Sequence, residues 1–209
     1  TDAASVFSVL RSKKLNLRYG TASILELESG SNDPWAYMLT VIILSVMKGG
    51  ATAGGFVMSL LAQVFFGVGF GALISLGAVY LIKRVRFDAA GFDAIFVTAI
   101  AILSYALPSA VGGNGYLSCY IVGIVLGNTK ISGKTALVHF FDGITGFTQI
   151  LLFFLLGLLA FPSQMPSIIL PAAAIALFLT FVARPAAVTV IMKPFGAKWK
   201  QIALISWAG

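Results

Sequence analysis

The sequence predicts an all-α protein that crosses a lipid bilayer several times. Of its 209 residues, 59% are hydrophobic and only 10% are charged, and the mean hydropathy is +0.98. Soluble domains carry about 25% charged residues, and so few polar side chains cannot cover a water-soluble fold. No segment alternates with the period of two that a membrane β-barrel requires. Composition therefore excludes soluble enzymes, soluble nucleic-acid-binding proteins and disordered chains.

Cysteine and histidine content limits the chemistry further. The chain has one cysteine, Cys119, and one histidine, His139. An internal disulfide framework and a Cys/His metal cluster are both excluded. The chain begins at Thr1 and stops inside an apolar run at Gly209, so we expect a fragment truncated at both ends.

The membrane spans follow from the uncharged runs, because a helix needs about 20 apolar residues to cross about 30 Å of hydrocarbon. The run 94–129 is too long for one span, and the sequence Pro-Ser-Ala-Val-Gly-Gly-Asn-Gly at its centre is a turn signal that predicts a helical hairpin. The glycine pairs 50/54, 67/71 and 123/127 have four-residue spacing. For the segment 67–71, Gly-Val-Gly-Phe-Gly, we favour close helix packing in lipid over a nucleotide loop, because the run is apolar throughout. The prediction is six full spans, at about 21–47, 56–82, 92–110, 114–128, 137–160 and 167–191, with half-spans at 1–10 and 201–209.

The basic residues predict the orientation of these spans. All of them except Lys48 and Arg184 lie in four clusters, at 11–18, 83–86, 130–134 and 193–200. The clusters fall in every second predicted loop, and positively charged loops face the cytoplasm. The net charge of +7 is therefore interpreted as a topology signal and not as a nucleic-acid surface. We expect a multi-pass protein of a bacterial inner membrane, with these four loops cytoplasmic and no nucleic-acid partner.

Several charged residues lie inside or close to the predicted spans. A charge at the centre of a membrane helix costs about 2.5–3.5 kcal/mol on insertion scales, so such residues are functional candidates. Asp33 lies twelve residues into its span, which corresponds to a depth of about 18 Å at 1.5 Å per residue. We therefore expect Asp33 to be buried near the membrane midplane. The other candidates of this kind are Asp2, Glu26, Glu28 and Arg184.

The residues around Asp33 offer oxygen ligands. Ser29 lies four residues earlier and shares its helix face, and Asn32 adds an amide. Pro34 has no N–H to donate to the carbonyl of Gly30, which leaves that acceptor free. A carboxylate, a hydroxyl, an amide and a free carbonyl suit a partly dehydrated alkali cation.

Arg184, which is followed by Pro185, needs an acidic partner inside the membrane. Glu28 is the natural candidate, because Asp33 must remain free to bind and release its ion. The pair can also be purely structural.

At these residues the sequence resembles the monovalent cation:proton antiporters of the NhaP type, which exchange Na⁺ or K⁺ for H⁺. The segment Glu-Ser-Gly-Ser-Asn-Asp-Pro at 28–34 is similar to the family's Glu-Ser-x-x-Asn-Asp signature. Thr1 and Asp2 resemble the Thr-Asp of its first broken helix, although an alanine follows where the family often has proline. The segments 181–185 and 206–209 resemble its arginine helix and the start of its second broken helix. Residues 140–143, Gln149 and 156–158 resemble its potassium/proton branch.

The resemblance covers essentially the whole chain and implies a fold of about 13 helices with inverted repeats. Residues 1–209 would form the central part of one transmembrane transport domain, which forms a homodimer when full length. The resemblance implies no cofactor, no catalytic residue and no metal beyond the transported alkali cation. It assigns Asp33 as the cation and proton carrier, Ser29 and the main chain of Thr1 as further ligands, Asn32 and Asp2 as site-shaping residues, and Glu28 with Arg184 as an ion pair.

Such a site predicts a mechanism. A low-polarity environment favours the neutral carboxyl and a bound cation favours the ionised one, so K⁺ or Na⁺ competes with H⁺ at Asp33. Alternating access turns this competition into exchange, a reaction that serves pH homeostasis. Because Asn32 stands where a second acid would add a charge, one H⁺ should exchange for one cation, which is electroneutral.

Two alternatives come from other functional classes. An intramembrane aspartyl protease could use Asp2 and Asp33, but the Tyr-Asp and Gly-x-Gly-Asp contexts of that chemistry are missing from the sequence. A non-transporting scaffold or sensor could use a structural pair of Glu28 and Arg184. It would not need a free Asp33 beside Ser29 and Asn32.

Overall fold

The structure, a computed structural model, describes residues 17, 20–48, 53–84, 91–131 and 133–208. The all-α prediction is confirmed: within these ranges the chain forms helices and short connections, without strands. Short 3₁₀ turns at Pro162–Gln164 and Lys193–Phe195 and a π-helical segment at Leu179–Ala183 accompany the α-helices. The helices are α1 Thr21–Met47, α2 Ala53–Arg84, α3 Phe92–Ala110, α4 Gly115–Asn128, α5 Lys134–Leu159, α6 Met165–Phe178, α7 Arg184–Met192 and α8 Trp199–Ala208.

Four helical stretches of the described chain are long and apolar enough to cross a membrane, at 54–84, 92–110, 134–159 and 165–195. Helix α1 is not among them, because the polar residues of the Asn-Asp signature lower its hydropathy. Helix α4 has 14 residues, about 21 Å of helix, which is shorter than a full crossing. The count of six full spans therefore remains a prediction. The half-span at 1–10 lies outside the described residues.

The chain divides into two compact units, one formed by 1–29 with 145–209 and the other by 30–144. In the second unit α2, α3 and α4 pack against one another. Ala78, Ile100, Val122 and Leu126 form the buried core between these helices. In the first unit α7 packs against α8, and the rings of Phe181 and Trp207 lie 5.9 Å apart.

Close helix packing through glycine is confirmed at positions 67 and 71. A Cβ on Gly67 would lie 2.9 Å from the main-chain oxygen of Asn114, and one on Gly71 would lie 3.1 Å from the side chain of Ile121. Helix α4 can therefore approach α2 only because these positions lack a side chain. At Gly54, Gly123 and Gly127 a Cβ would meet nothing within 4 Å, so the four-residue spacing alone does not indicate a close helix contact in the described chain.

Candidate functional site

Helix α1 carries the acidic signature and continues through Pro34 without a break. Buried residues of α1 occur every four positions from 21 to 29 and again from 34 to 42, so the second series begins one position later than the first would predict. Position 33, which would continue the first series, is Asp33, and it is exposed. The expected burial of Asp33 is therefore wrong for the described chain, because the buried series passes from position 29 to position 34. The two series are Thr21, Leu25 and Ser29, followed by Pro34, Met38 and Ile42.

Ser29 is one of three buried serines, with Ser118 and Ser206, whose hydroxyls have no hydrogen-bond partner in the described part of the chain. The side chain of Ser29 is 0% exposed. Buried polar groups are bonded in the large majority of cases. The helical register places this hydroxyl one turn before Asp33 and on the same side of α1. Ser29 therefore has unused capacity to bind a ligand.

The main chain around Pro34 adds two features. Pro34 cannot donate to the carbonyl of Gly30, since it has no N–H. The carbonyl of Pro34 accepts a hydrogen bond of 2.9 Å from Nδ2 of Asn114. Asn32, the neighbour of Asp33, is half-buried.

Sequence reasoning missed Asn114, because the segment 108–115 was interpreted only as a turn. A signal was available: Asn114 stands directly before the first residue of α4, where asparagine is a preferred N-cap. Its Oδ1 accepts from the N–H of Leu117, as an N-cap does.

Arg184 and Glu28 are brought together in the first unit. Nη2 of Arg184 lies 2.8 Å from Oε1 and 3.1 Å from Oε2 of Glu28. The relative exposures of the two side chains are 22% and 27%, so the pair is only partly buried.

Arg184 has further acceptors that the sequence did not indicate. Its Nε donates to the carbonyl of Ser206 at 3.1 Å, and Nη2 donates to the carbonyl of Ile205 at 3.3 Å. Both carbonyls lie in the last turn of α8, where the helix dipole attracts a cation. The guanidinium thus binds α1 and the end of α8 at once.

The backbone before Arg184 widens into the π-helical segment Leu179–Ala183. The N–H of Arg184 donates to the carbonyl of Leu179, five residues earlier. Pro185 explains this widening, because it cannot donate to the carbonyl of Phe181 and its ring would clash with that oxygen in a regular helix. The π segment ends at Ala183, directly before Arg184, which is the first residue of α7.

The remaining sequence candidates, Thr1 and Asp2, lie outside the described residues. Across the described ranges, no group of three or more His, Cys, Asp or Glu side chains could hold a metal ion.

Comparisons with known proteins agree with the α1 signature. A family described as "Sodium/hydrogen exchanger, transmembrane" matches residues 1–209. Over its full length the chain is 38% identical to the K(+)/H(+) antiporter NhaP2 of Shewanella oneidensis and 38% identical to the K(+)/H(+) antiporter NhaP of Alkalimonas amylolytica, of which it covers 37% and 36%. Over 85% of its length it is 29% identical to the Na(+)/H(+) antiporter NhaS2 of a Synechocystis species, of which it covers 33%.

The chain thus spans little more than a third of these relatives, and the match to the family extends from its first residue to its last. The matched region contains the acidic signature of α1 and the arginine that pairs with it. The chain belongs to the sodium/hydrogen exchanger family.

Proposed function

We propose that the intact protein exchanges a monovalent cation, K⁺ or Na⁺, for H⁺ across a bacterial inner membrane. Membership of the sodium/hydrogen exchanger family supports this proposal, as do the names of the relatives, which are K(+)/H(+) or Na(+)/H(+) antiporters. Identity is higher to relatives named for K⁺, at 38%, than to the one named for Na⁺, at 29%. K⁺ is therefore the first cation to test.

The observation that carries the proposal is the hydroxyl of Ser29. It is fully buried and unpartnered in the described chain, one turn before Asp33 on a continuous helix. A carboxylate, a hydroxyl and a carbonyl without its usual donor are hard oxygen ligands, which suit a hard cation. The main chain of Thr1 would add a ligand, and Asp2 and Asn32 would shape the site.

The exchange follows from competition at Asp33. The ionised carboxylate binds the cation, and the protonated carboxyl has lost the charge that holds it. If the site faces the two sides of the membrane in turn, each passage carries either a proton or a cation.

Glu28 and Arg184 have a different role in this proposal. Their charges cancel, so the pair neither binds the cation nor adds charge to the moving site. It fixes the first half of α1, which includes Ser29, to the end of α8 through the carbonyls of Ile205 and Ser206. In the full-length protein we expect this arrangement within each subunit of a homodimer.

A non-transporting scaffold is the second candidate function, and the ion pair alone would suit it. The unpartnered hydroxyl of Ser29 does not by itself decide against a scaffold, because Ser118 and Ser206 are also buried without a partner in the described chain. What favours a cation site is the carboxylate of Asp33 one turn after Ser29, which a scaffold would not need. An intramembrane protease has no support from the matched family.

The test uses the full-length protein in everted membrane vesicles with a fluorescent reporter of internal pH. Addition of K⁺, Na⁺ or Li⁺ should release protons with the wild type. Asp33→Asn should abolish this release with all three ions while expression stays near normal, because a neutral amide carries no proton and is cheaper to insert. The matched control is Asp93→Asn, in the first turn of α3, which should exchange normally. Proton release that persists in Asp33→Asn would refute the proposal.

A further inference from the structure

We propose that Asn114 is a positioning residue for the Asp33 site. It acts through the carbonyl of Pro34, the residue that follows Asp33, and does not touch the cation. The inference rests on the proposed function of Asp33 and concerns residues of a single unit, 30–144.

Asn114 is one of the most completely buried polar residues of the described chain, with 0% exposure. Its Nδ2 donates to the carbonyl of Pro34 at 2.9 Å, across 80 positions of sequence. Its Oδ1 accepts from Leu117 at 3.0 Å, and its main-chain N–H donates to the carbonyl of Gln63 at 3.1 Å. One residue therefore joins α1, α2 and the start of α4.

The turn that carries Asn114 is tightly packed. The N–H of Gly113 donates to the carbonyl of Pro108 at 2.7 Å. A Cβ on Gly113 would lie 2.6 Å from Cβ of Phe66, and one on Gly115 would lie 2.5 Å from the carbonyl of Tyr105. Such distances essentially never occur between real atoms of this kind, so the backbone on either side of Asn114 is closely held. The amide of Asn114 is accordingly a fixed donor.

The amide of Asn114 donates to α1 at Pro34, where the helix lacks one main-chain hydrogen bond. Pro34 removes one hydrogen bond from the helix and favours bending there. The series of buried positions on α1 also shifts at this point, from Ser29 to Pro34. A bond to the Pro34 carbonyl holds the peptide between Pro34 and Trp35, one peptide beyond Asp33, and so restrains the turn of α1 that carries the carboxylate. Ligand groups need to be held to within about 0.5 Å by supporting residues.

Two variants of Asn114 separate its hydrogen bond to Pro34 from its function as the N-cap of α4. Asn114→Ser retains an oxygen that can accept from Leu117, but its side chain is too short to donate to Pro34. Asn114→Asp retains the size and the capping oxygen, but it presents an acceptor oxygen to the Pro34 carbonyl. The matched control is Asn128→Ser at the other end of α4, where Nδ2 donates to the carbonyl of Ile124 on the exposed surface.

The measurement is the cation dependence of exchange by the full-length protein in vesicles, together with cation-induced thermal stabilisation of the purified protein. We expect Asn114→Ser to raise the apparent KM for K⁺ or Na⁺ by about three- to tenfold, the equivalent of one hydrogen bond. Asn114→Asp should raise it further, and both should keep a maximal rate near the wild-type value. Asn128→Ser should leave KM unchanged.

Three outcomes overturn the inference. Folded Asn114 variants with a wild-type KM show that the bond does not position the site. A lower maximal rate and lower melting temperature at an unchanged KM assign Asn114 a structural role only, as does failure of both variants to fold. Asp33→Asn is measured alongside them: if it still exchanges, the proposed function itself fails. If Asp33→Asn is inactive and the Asn114 variants bind cations normally, only the present inference fails.

Discussion

Nη2 of Arg184 donates to both carboxylate oxygens of Glu28, at 2.8 and 3.1 Å, across 156 positions of sequence. The same guanidinium holds the carbonyls of Ile205 and Ser206 in the last turn of α8. Arginine suits this position because its planar fork has several donors in fixed directions, which lysine lacks. The pair is therefore one part of a four-group cluster.

The first prediction concerns the stability of this cluster. Arg184→Ala should lower the free energy of unfolding by about 1.5–3 kcal/mol, the range for hydrogen bonds to charged groups, because Glu28 loses its counter-charge and two carbonyls lose a donor. Glu28→Gln should cost less, since Arg184 keeps its contacts with α8. Melting of the purified full-length protein in detergent measures both losses.

The double variant Glu28→Gln/Arg184→Gln tests whether the two residues act together. A loss smaller than the sum of the single losses demonstrates coupling, whereas simple additivity would contradict the ion pair. Arg184→Lys serves as a charge control. It should recover only part of the stability, because one ammonium cannot reproduce the planar fork that binds Glu28 and both carbonyls.

The second prediction separates binding from stability at Ser29. Ser29→Ala should weaken cation binding by about tenfold or less, the equivalent of one hydrogen bond or ligand contact. It should not lower the melting temperature of the cation-free protein, because the hydroxyl has no partner to lose. The apparent KM of exchange and melting curves with and without K⁺ are the two measurements.

Ser75→Ala is the matched control for Ser29. Ser75 is equally inaccessible, at 2% exposure, but its Oγ donates to the carbonyl of Gly71 on a helix without proposed cation ligands. It should leave the cation dependence of exchange unchanged. Equal effects of the two substitutions on KM would remove Ser29 from the ligand set.

The third prediction concerns helix packing at α2. Gly67→Ala should destabilise the protein by about 1–3 kcal/mol, the usual cost of overpacking, because the new Cβ would lie 2.9 Å from the oxygen of Asn114. Gly69→Ala, where a Cβ meets nothing within 4 Å, should be neutral or stabilise by up to about 1 kcal/mol. The melting temperature should fall for Gly67→Ala and should stay the same or rise for Gly69→Ala. An unchanged or higher melting temperature for Gly67→Ala would argue against close contact of α2 with α4.

The sequence was sufficient to predict two kinds of feature: contacts between neighbours on one helix, and the pairing of charges inside apolar spans. A charge in an apolar span needs a partner, so Glu28 could be proposed for Arg184 without a structure. The spacing of Ser29 and Asp33 follows from the helical repeat alone. The close packing at Gly67 and Gly71 follows from residue size, but the same spacing at Gly123 and Gly127 has no neighbour, because spacing does not say which face meets another helix.

Hydrogen bonds between residues far apart in the chain could not be predicted from the sequence. The bond from Asn114 to Pro34 depends on how the turn before α4 is placed against α1, and no periodicity encodes that. The bonds from Arg184 to α8 use main-chain carbonyls, which are the same for every residue type. The exposure of Asp33 results from a one-residue shift in the buried face of α1, whereas a regular helical repeat predicts that the face continues.

The last prediction is that exchange is electroneutral, and it depends on Asn32. In one half of the cycle Asp33 crosses protonated, and in the other it crosses with one monovalent cation, so its net charge is zero both times. Asn32 adds no titratable charge, and Glu28 with Arg184 is balanced. A membrane potential should therefore do no work on the cycle, whereas one uncompensated charge would feel about 2.3 kcal/mol per 100 mV.

Exchange by the full-length protein in proteoliposomes at imposed potentials, with fixed pH and cation gradients, measures this directly. An equilibrium position that shifts with potential would refute one-for-one exchange and would imply a second proton-carrying acid, with Asp2 as a candidate. Asn32→Asp tests the same point from the other side, because it places a second carboxyl beside Asp33. If Asn32 sets the stoichiometry, this variant should become sensitive to potential. If Asn32 only packs the site, exchange should slow without any change in its response to potential, because the number of charges that cross the membrane with Asp33 is then the same as in the wild type.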